Sequence, residues 1–165
     1  MTNVRIVPFE ARFREPCRAL IAALPDWFGI PESNAAYLHN LSLLPSWVAL
    51  VASEVVGAIT LEQHFPASFE VHFMGVRPEY HRRGIGRALL DHLEAEVRAG
   101  AGRWLHVKTL APSHPDPFYA RTRAFYTAMG FSPLFESSVL WSAENPALVL
   151  VKRLEAEDVP EASRP

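Results

Sequence analysis

The chain has 165 residues, which bounds it to one domain of ordinary size. At 49% hydrophobic and 21% charged it is too apolar for general disorder, and a formal net charge of −2 excludes a dedicated nucleic-acid binder carrying a strong positive excess. A single cysteine, Cys17, rules out an internal disulfide and any cysteine-based zinc site.

The opening MTNVRIVPFEARFR is charged and lacks the apolar run of a signal peptide, and no stretch approaches the roughly 20 apolar residues that span a bilayer. A soluble cytoplasmic protein without membrane association is the expectation. Val4 to Val7 reads as a first strand, stopped by Pro8. Phe13, Cys17, Leu20, Ile21 and Leu24 recur at helical spacing, predicting an amphipathic helix over Phe9 to Leu24 with a kink or fresh start at Pro16. The loop PDWFGIP follows, then a helix from Pro31 to about Leu41, with proline at an allowed first-turn position.

Trp47 to Ala52 and Val55 to Gln63 read as strands joined by a tight turn at Ser53-Glu54, and Phe69 to Val76 as a third, giving an antiparallel meander. Gly84 to Ala99 is helical, with Ile85, Leu89, Leu93 and Val97 on one stripe and Gly100 and Gly102 closing it. A strand over Arg103 to Leu110, a loop APSHPDP, a helix over Phe118 to Met129, and strands over Leu134 to Leu140 and Ala147 to Leu154 complete the order. The expected class is α/β: one domain over residues 1–154 on a single mixed, mostly antiparallel sheet flanked by helices. The polar segment from Glu155 to Pro165 is expected to be a loose tail.

The segment that carries chemistry is VRPEYHRRGIGRALL, Val76 to Leu90, set between a strand and a helix. Gly84 and Gly86 allow close approach of backbone to a ligand. The first-turn N–H groups of the next helix lack internal partners and stand at the positive end of its dipole, and Arg82, Arg83 and Arg87 add full charges. Such a turn suits a phosphate or pyrophosphate. It is neither a P-loop, since no Gly-Lys-Ser/Thr follows, nor a dinucleotide fingerprint, since Leu89 stands where a third glycine is required. The plain alternative is a tight turn with solvated arginines.

His81-Arg82-Arg83-Gly84-Ile85-Gly86 resembles the Gln/Arg-x-x-Gly-x-Gly/Ala signature of the GNAT superfamily of N-acetyltransferases, and Ala124-Phe125-Tyr126-Thr127-Ala128-Met129-Gly130-Phe131 resembles a second element of that family. The resemblance extends in strand-helix order over about residues 4–154. It implies a GNAT-like acyl-CoA N-acyltransferase fold and acetyl-CoA as acyl donor, with an amine as acceptor. It places the cofactor on Met74 and Val76 of a bulged strand, with Gly75 between them absorbing the distortion, and on His81, Arg82, Arg83, Gly84, Ile85, Gly86 and Arg87. His81 departs from the usual Gln or Arg, and about Tyr119 stands where many members have asparagine.

The same resemblance casts Tyr126 as the general acid that protonates the leaving thiolate, against the alternative of a core aromatic. Glu70 matches the position of a catalytic glutamate in some members. Strand alternation puts Glu70, His72 and Met74 on one face, so Glu70 and His72 are both candidate bases, and a reaction driven by positioning alone stays open. His64, His106, His114 and Asp116 match no common ligand spacing, and no metal is expected. The resemblance also implies an acceptor site walled by the first two helices, where Trp27, Phe28, Tyr37 and His39 with Asp26 and Glu32 nearby suit a cationic amine, against the alternative of helix packing and a hydrophobic cover. Trp47, Trp104 and Trp141 read as core or interface residues. A non-catalytic acyl-CoA sensor and a transferase for another acyl-CoA are the alternative readings, and a homodimer is a family-level expectation.

Overall fold

The computed structural model describes residues 3–155, so the expected tail lies, beyond Glu155, outside the described residues. Strand β1 (Val4–Pro8) is followed by a 3-10 turn at Ala11–Phe13 and helix α1 (Arg14–Ala22). The predicted helix thus starts late, with Pro16 in the first turn, where a missing N–H costs nothing. Helix α2 (Pro31–Leu43) leads into β2 (Ser46–Val51), β3 (Glu54–Phe65) and β4 (Ser68–Val76). The β2–β3 turn falls on Ala52-Ser53, one residue before the predicted pair, with Ala52 at φ 52°.

A short 3-10 turn at Pro78–Tyr80 precedes α3 (Ile85–Ala99) and β5 (Trp104–Leu110). Helix α4 (Pro117–Ala128), β6 (Ser132–Ser137) and β7 (Ala147–Arg153) end the described chain. After α3 the left-handed position is taken by Ala101 at φ 60°, not by Gly100 or Gly102. The predicted strand to Leu140 stops at Ser137, whose hydroxyl accepts from the amides of Val139 and Leu140 at 3.2 and 3.3 Å and turns the chain.

The seven strands form one sheet in the order β1-β2-β3-β4-β5-β7-β6, antiparallel throughout except for β4 beside β5. Consecutive residues of β2 show the two faces: Trp47 and Ala49 join one core cluster, Val48 and Leu50 the other. The first cluster holds the α3 stripe (Ile85, Leu89, Leu93, Val97) and Tyr126 of α4, and the second holds Cys17, Leu20 and Ile21 of α1 with Leu38 and Leu41 of α2. Each fully buried leucine here contributes roughly 2 kcal/mol. Trp47 is buried as expected, whereas Trp104 and Trp141 are exposed. No helix among the described residues is long and apolar enough to cross a membrane.

Candidate active site

The site begins as a fork in the sheet. Strands β4 and β5 pair only at Ser68–Trp104, Phe69–Leu105 and Glu70–His106, and beyond Glu70 they part. The cause is on the other side of β4. There Thr60 pairs with Phe73 and Leu61 with Val71, which leaves His72 as an extra residue bulged out of register. The bulge therefore lies at His72 and not at Met74–Val76, where Gly75 pairs regularly with Ala58. Gly75 is closely packed instead: a Cβ there would come within 3.2 Å of the Leu24 and Phe73 side chains, which would have to shift.

The bulge also inverts the alternation of faces. Phe69 and Val71 pack in the α3-side cluster, Phe73 in the α1–α2-side cluster, and Met74 and Val76 again against the α3 side. Met74 thus leaves the face expected from simple alternation with Glu70 and His72. The opened strands bound a cleft of about 800 Å³ lined by residues from both faces of the sheet.

At the α3 end, the turn Tyr80–Gly84 delivers the chain into the helix with two left-handed residues, Arg82 at φ 61° and Gly84 at φ +81°. Gly84 is the N-cap, and the helical ladder starts with the amide of Ala88 bonding its carbonyl at 3.0 Å. The amides of Ile85, Gly86 and Arg87 thus lack intrahelical partners, at the edge of the cleft that these residues line with Arg82 and Gly84. A Cβ at Gly86 would stand 3.4 Å from the Phe125 ring, in van der Waals contact. Met74, Val76 and His81 line the cleft too, but Arg83 does not, its guanidinium lying 5.2 Å from the centre of the Tyr80 ring. Nε2 of His81 donates to the Val76 carbonyl at 2.7 Å, so this side chain fastens the end of β4.

Two titratable side chains on β4 have different surroundings. Glu70 is 2% exposed and accepts from His64 Nε2 at 2.6 Å, His106 Nε2 at 3.2 Å and Lys108 Nζ at 3.0 Å. Burial alone pushes this carboxyl up, but the bonds from His106, Lys108 and His64, with the Lys108 charge, outweigh it and hold the group at about 2. His72 lies in the cleft wall against Tyr37. Its Nε2 is 2.9 Å from the Asn40 amide nitrogen and its Nδ1 is 3.0 Å from Glu62. Since Asn40 donates, Nε2 accepts, and the ring proton belongs on Nδ1, facing the carboxylate.

Tyr126 lines the cleft and is only 3% exposed, its ring edge-on to Phe125 and Phe131. Burial pushes the phenol well above its ordinary 10, so it is a protonated donor at neutral pH. Sequence reasoning missed Glu62, Asn40 and Lys108. Even the pairing of Glu62 with Glu70 across β3 and β4 lies between two register shifts, which linear spacing does not show.

His64, Glu70 and His106 offer ligand atoms within 4.8 Å of one another, a convergence of three strands that linear spacing does not show. The Lys108 ammonium on the other oxygen of Glu70 opposes a dication there, and the bonds already made use the set as a hydrogen-bonded network. Asp116 instead caps α4, accepting from the amides of Phe118 and Tyr119 at 2.9 and 3.0 Å, and neither it nor His114 lines the cleft.

On the α1–α2 side the loop between these helices is pinned across the fork. Trp27 donates to Thr122 Oγ1 at 3.0 Å, its carbonyl accepts from Tyr119 at 2.8 Å, and its ring stands edge-on to His81 and Phe118. Phe28 and Tyr37 join it in lining the cleft, whereas His39, Asp26 and Glu32 are exposed and take no part in the lining. Trp141, expected in the core or an interface, lines the cleft as well.

A family model described as an acetyltransferase (GNAT) domain matches residues 44–133, more than half of the chain. No curated protein matches the sequence. Among solved structures, an acetyltransferase of the GNAT family from Desulfovibrio desulfuricans is similar with a TM-score of 0.80 at 19% identity, covering 92% of this chain and 99% of that one. An aminoglycoside 6'-N-acetyltransferase from Enterococcus faecium gives 0.72 at 19% identity over 93% and 99%. A GNAT family acetyltransferase from Elizabethkingia anophelis with acetyl-CoA bound gives 0.72 at 19% identity over 93% and 100%. These likenesses establish the shared acyl-CoA N-acyltransferase fold, and with the family match over the meander, the arginine-glycine turn and α4, the chain belongs to the GNAT acetyltransferase family.

Proposed function

We propose that the protein is an N-acetyltransferase that moves the acetyl group of acetyl-CoA to a primary amine by direct attack within a ternary complex. The observation that carries this reading is the through-sheet cleft, which has unpaired helix amides and arginines at one end and a protonated phenol and a carboxylate-backed imidazole farther in. When bound, acetyl-CoA supplies a thioester carbonyl for the amine to attack and a thiolate leaving group. Ile85, Gly86 and Arg87 amides with the Arg82 and Arg87 side chains would hold its pyrophosphate, and the β4 segment Met74–Val76 its pantetheine arm.

His72 is the base in this reading: Glu62 holds the Nδ1 proton and stabilises the imidazolium formed when Nε2, released by the Asn40 amide as the acceptor enters, takes a proton from the ammonium. The Tyr126 hydroxyl donates to the departing sulfur. Glu70, ionised down to about pH 2, is a weak base and serves as the fixed negative centre that orients Lys108 and His106. Titration calorimetry with acetyl-CoA tests the cofactor assignment directly. Micromolar binding to the wild type and none to folded Gly84→Glu is the expected result, and unchanged affinity in that variant would remove the turn from the site.

A further inference from the structure

The lining of the cleft is one-sided in charge. Among the described lining residues none is aspartate or glutamate, whereas Arg82, Arg87, Lys108 and Arg121 all contribute. The half of the cleft away from the pyrophosphate turn is a wall of aromatic rings. Phe28, Tyr37 and Phe73 pack against one another with ring centres 5.2, 5.3 and 5.7 Å apart, and Trp27, edge-on to His81, continues the aromatic lining toward the turn. Two carboxylates of the neighbouring strands are engaged: Glu62 faces His72, and Glu70 receives His64, His106 and Lys108.

From this lining, and resting on the acetyltransferase reading above, we infer that the acceptor is a monoamine on an aromatic or similarly apolar body, and that polycationic amines are rejected. One ammonium group can lie against the Tyr37 or Trp27 face. A second or third ammonium would enter the cleft without a carboxylate partner, and burying an unpaired charge is costly. Lys108, paired with Glu70 at 3.0 Å, leaves that part of the wall without a carboxylate that could receive a second cation.

The test is calorimetric binding of amines to the full chain saturated with CoA, which needs no turnover. The probes are 2-phenylethylamine and tyramine against spermidine and kanamycin. At least tenfold tighter binding of the two aromatic monoamines is expected. Tyr37→Leu should weaken them tenfold or more while leaving CoA affinity within twofold, and circular dichroism would verify that the variant is folded. Equal or tighter binding of spermidine or kanamycin overturns the inference, as does failure of both aromatic amines to bind the CoA complex. Failure of the acetyltransferase reading looks different: CoA itself does not bind, or aromatic amines bind with the expected preference while acetyl-CoA stays intact.

Discussion

Replacing Glu70 with glutamine removes a buried charge on which three side chains converge, and the cost can be worked from the structure. The carboxyl is held at about 2 in the folded protein against an ordinary 4.5, and at 1.36 kcal/mol per unit this difference amounts to about 3 kcal/mol. The sign follows from the direction of the shift. Because the folded value is the lower one, the contribution is complete above pH 4.5 and is lost as pH falls through 2. Glutamine keeps the shape but leaves Lys108 without its counter-charge. Urea unfolding of wild type and Glu70→Gln at pH 7 should differ by about 3 kcal/mol, and by roughly half as much at pH 3. A gap below about 1 kcal/mol at pH 7, or one that stays constant from pH 7 to pH 3, would refute the view that ionised Glu70 anchors the fork.

Tyr126→Phe should lower kcat by about 100-fold or more with acetyl-CoA affinity unchanged, measured by thiol release and calorimetry, because it deletes only the donated proton; full activity would reject the phenol as acid. Cys17 is fully buried with its thiol pushed up to about 12, so it should resist a thiol-reactive dye at pH 8 until the protein is unfolded. Rapid native labelling would contradict that burial. Asp116→Ala removes the only side-chain cap of α4 and should cost about 1 kcal/mol, read as a fall of roughly 2–4 °C in Tm.

What could be read from the sequence was local. The α3 stripe repeats at the helical period within fifteen residues, and Gly84 and Gly86 stand at its N-cap and second position, so both the helix and its anion-facing start are visible in one window. The meander is visible for the same reason, since its strands are neighbours in sequence and in space. The bulge at His72 is not, because it is defined by a mismatch between β4 and β3, and either strand alone looks regular. Glu70 illustrates the limit more sharply. Its position in the motif suggested a base, but His64, His106 and Lys108, which hold its proton off, come from β3 and from β5, across the crossover through α3. Likewise, Asp26 and Glu32 neighbour aromatic residues in sequence, yet only the rings turn toward the cleft, because Trp27 is drawn to Thr122 nearly a hundred positions away.

The three-rung contact between β4 and β5 has a consequence for how the chain folds and breathes. On its N-terminal side β2, β3 and β4 are joined by short hairpin loops and can zip up as soon as the chain is available, while β1 reaches β2 only across α1 and α2; on the other side β5 meets β7 across α4 and β6. The seam joining them forms only after the crossover through α3 has been closed. It is also a thin place in the sheet, so amide exchange by sub-global opening should start along the unpaired edges of Val71–Val76 and Val107–Leu110 while β2 and β3 stay protected. The segments between which substrates must enter are thereby interior strands whose backbone the sheet secures on one side only.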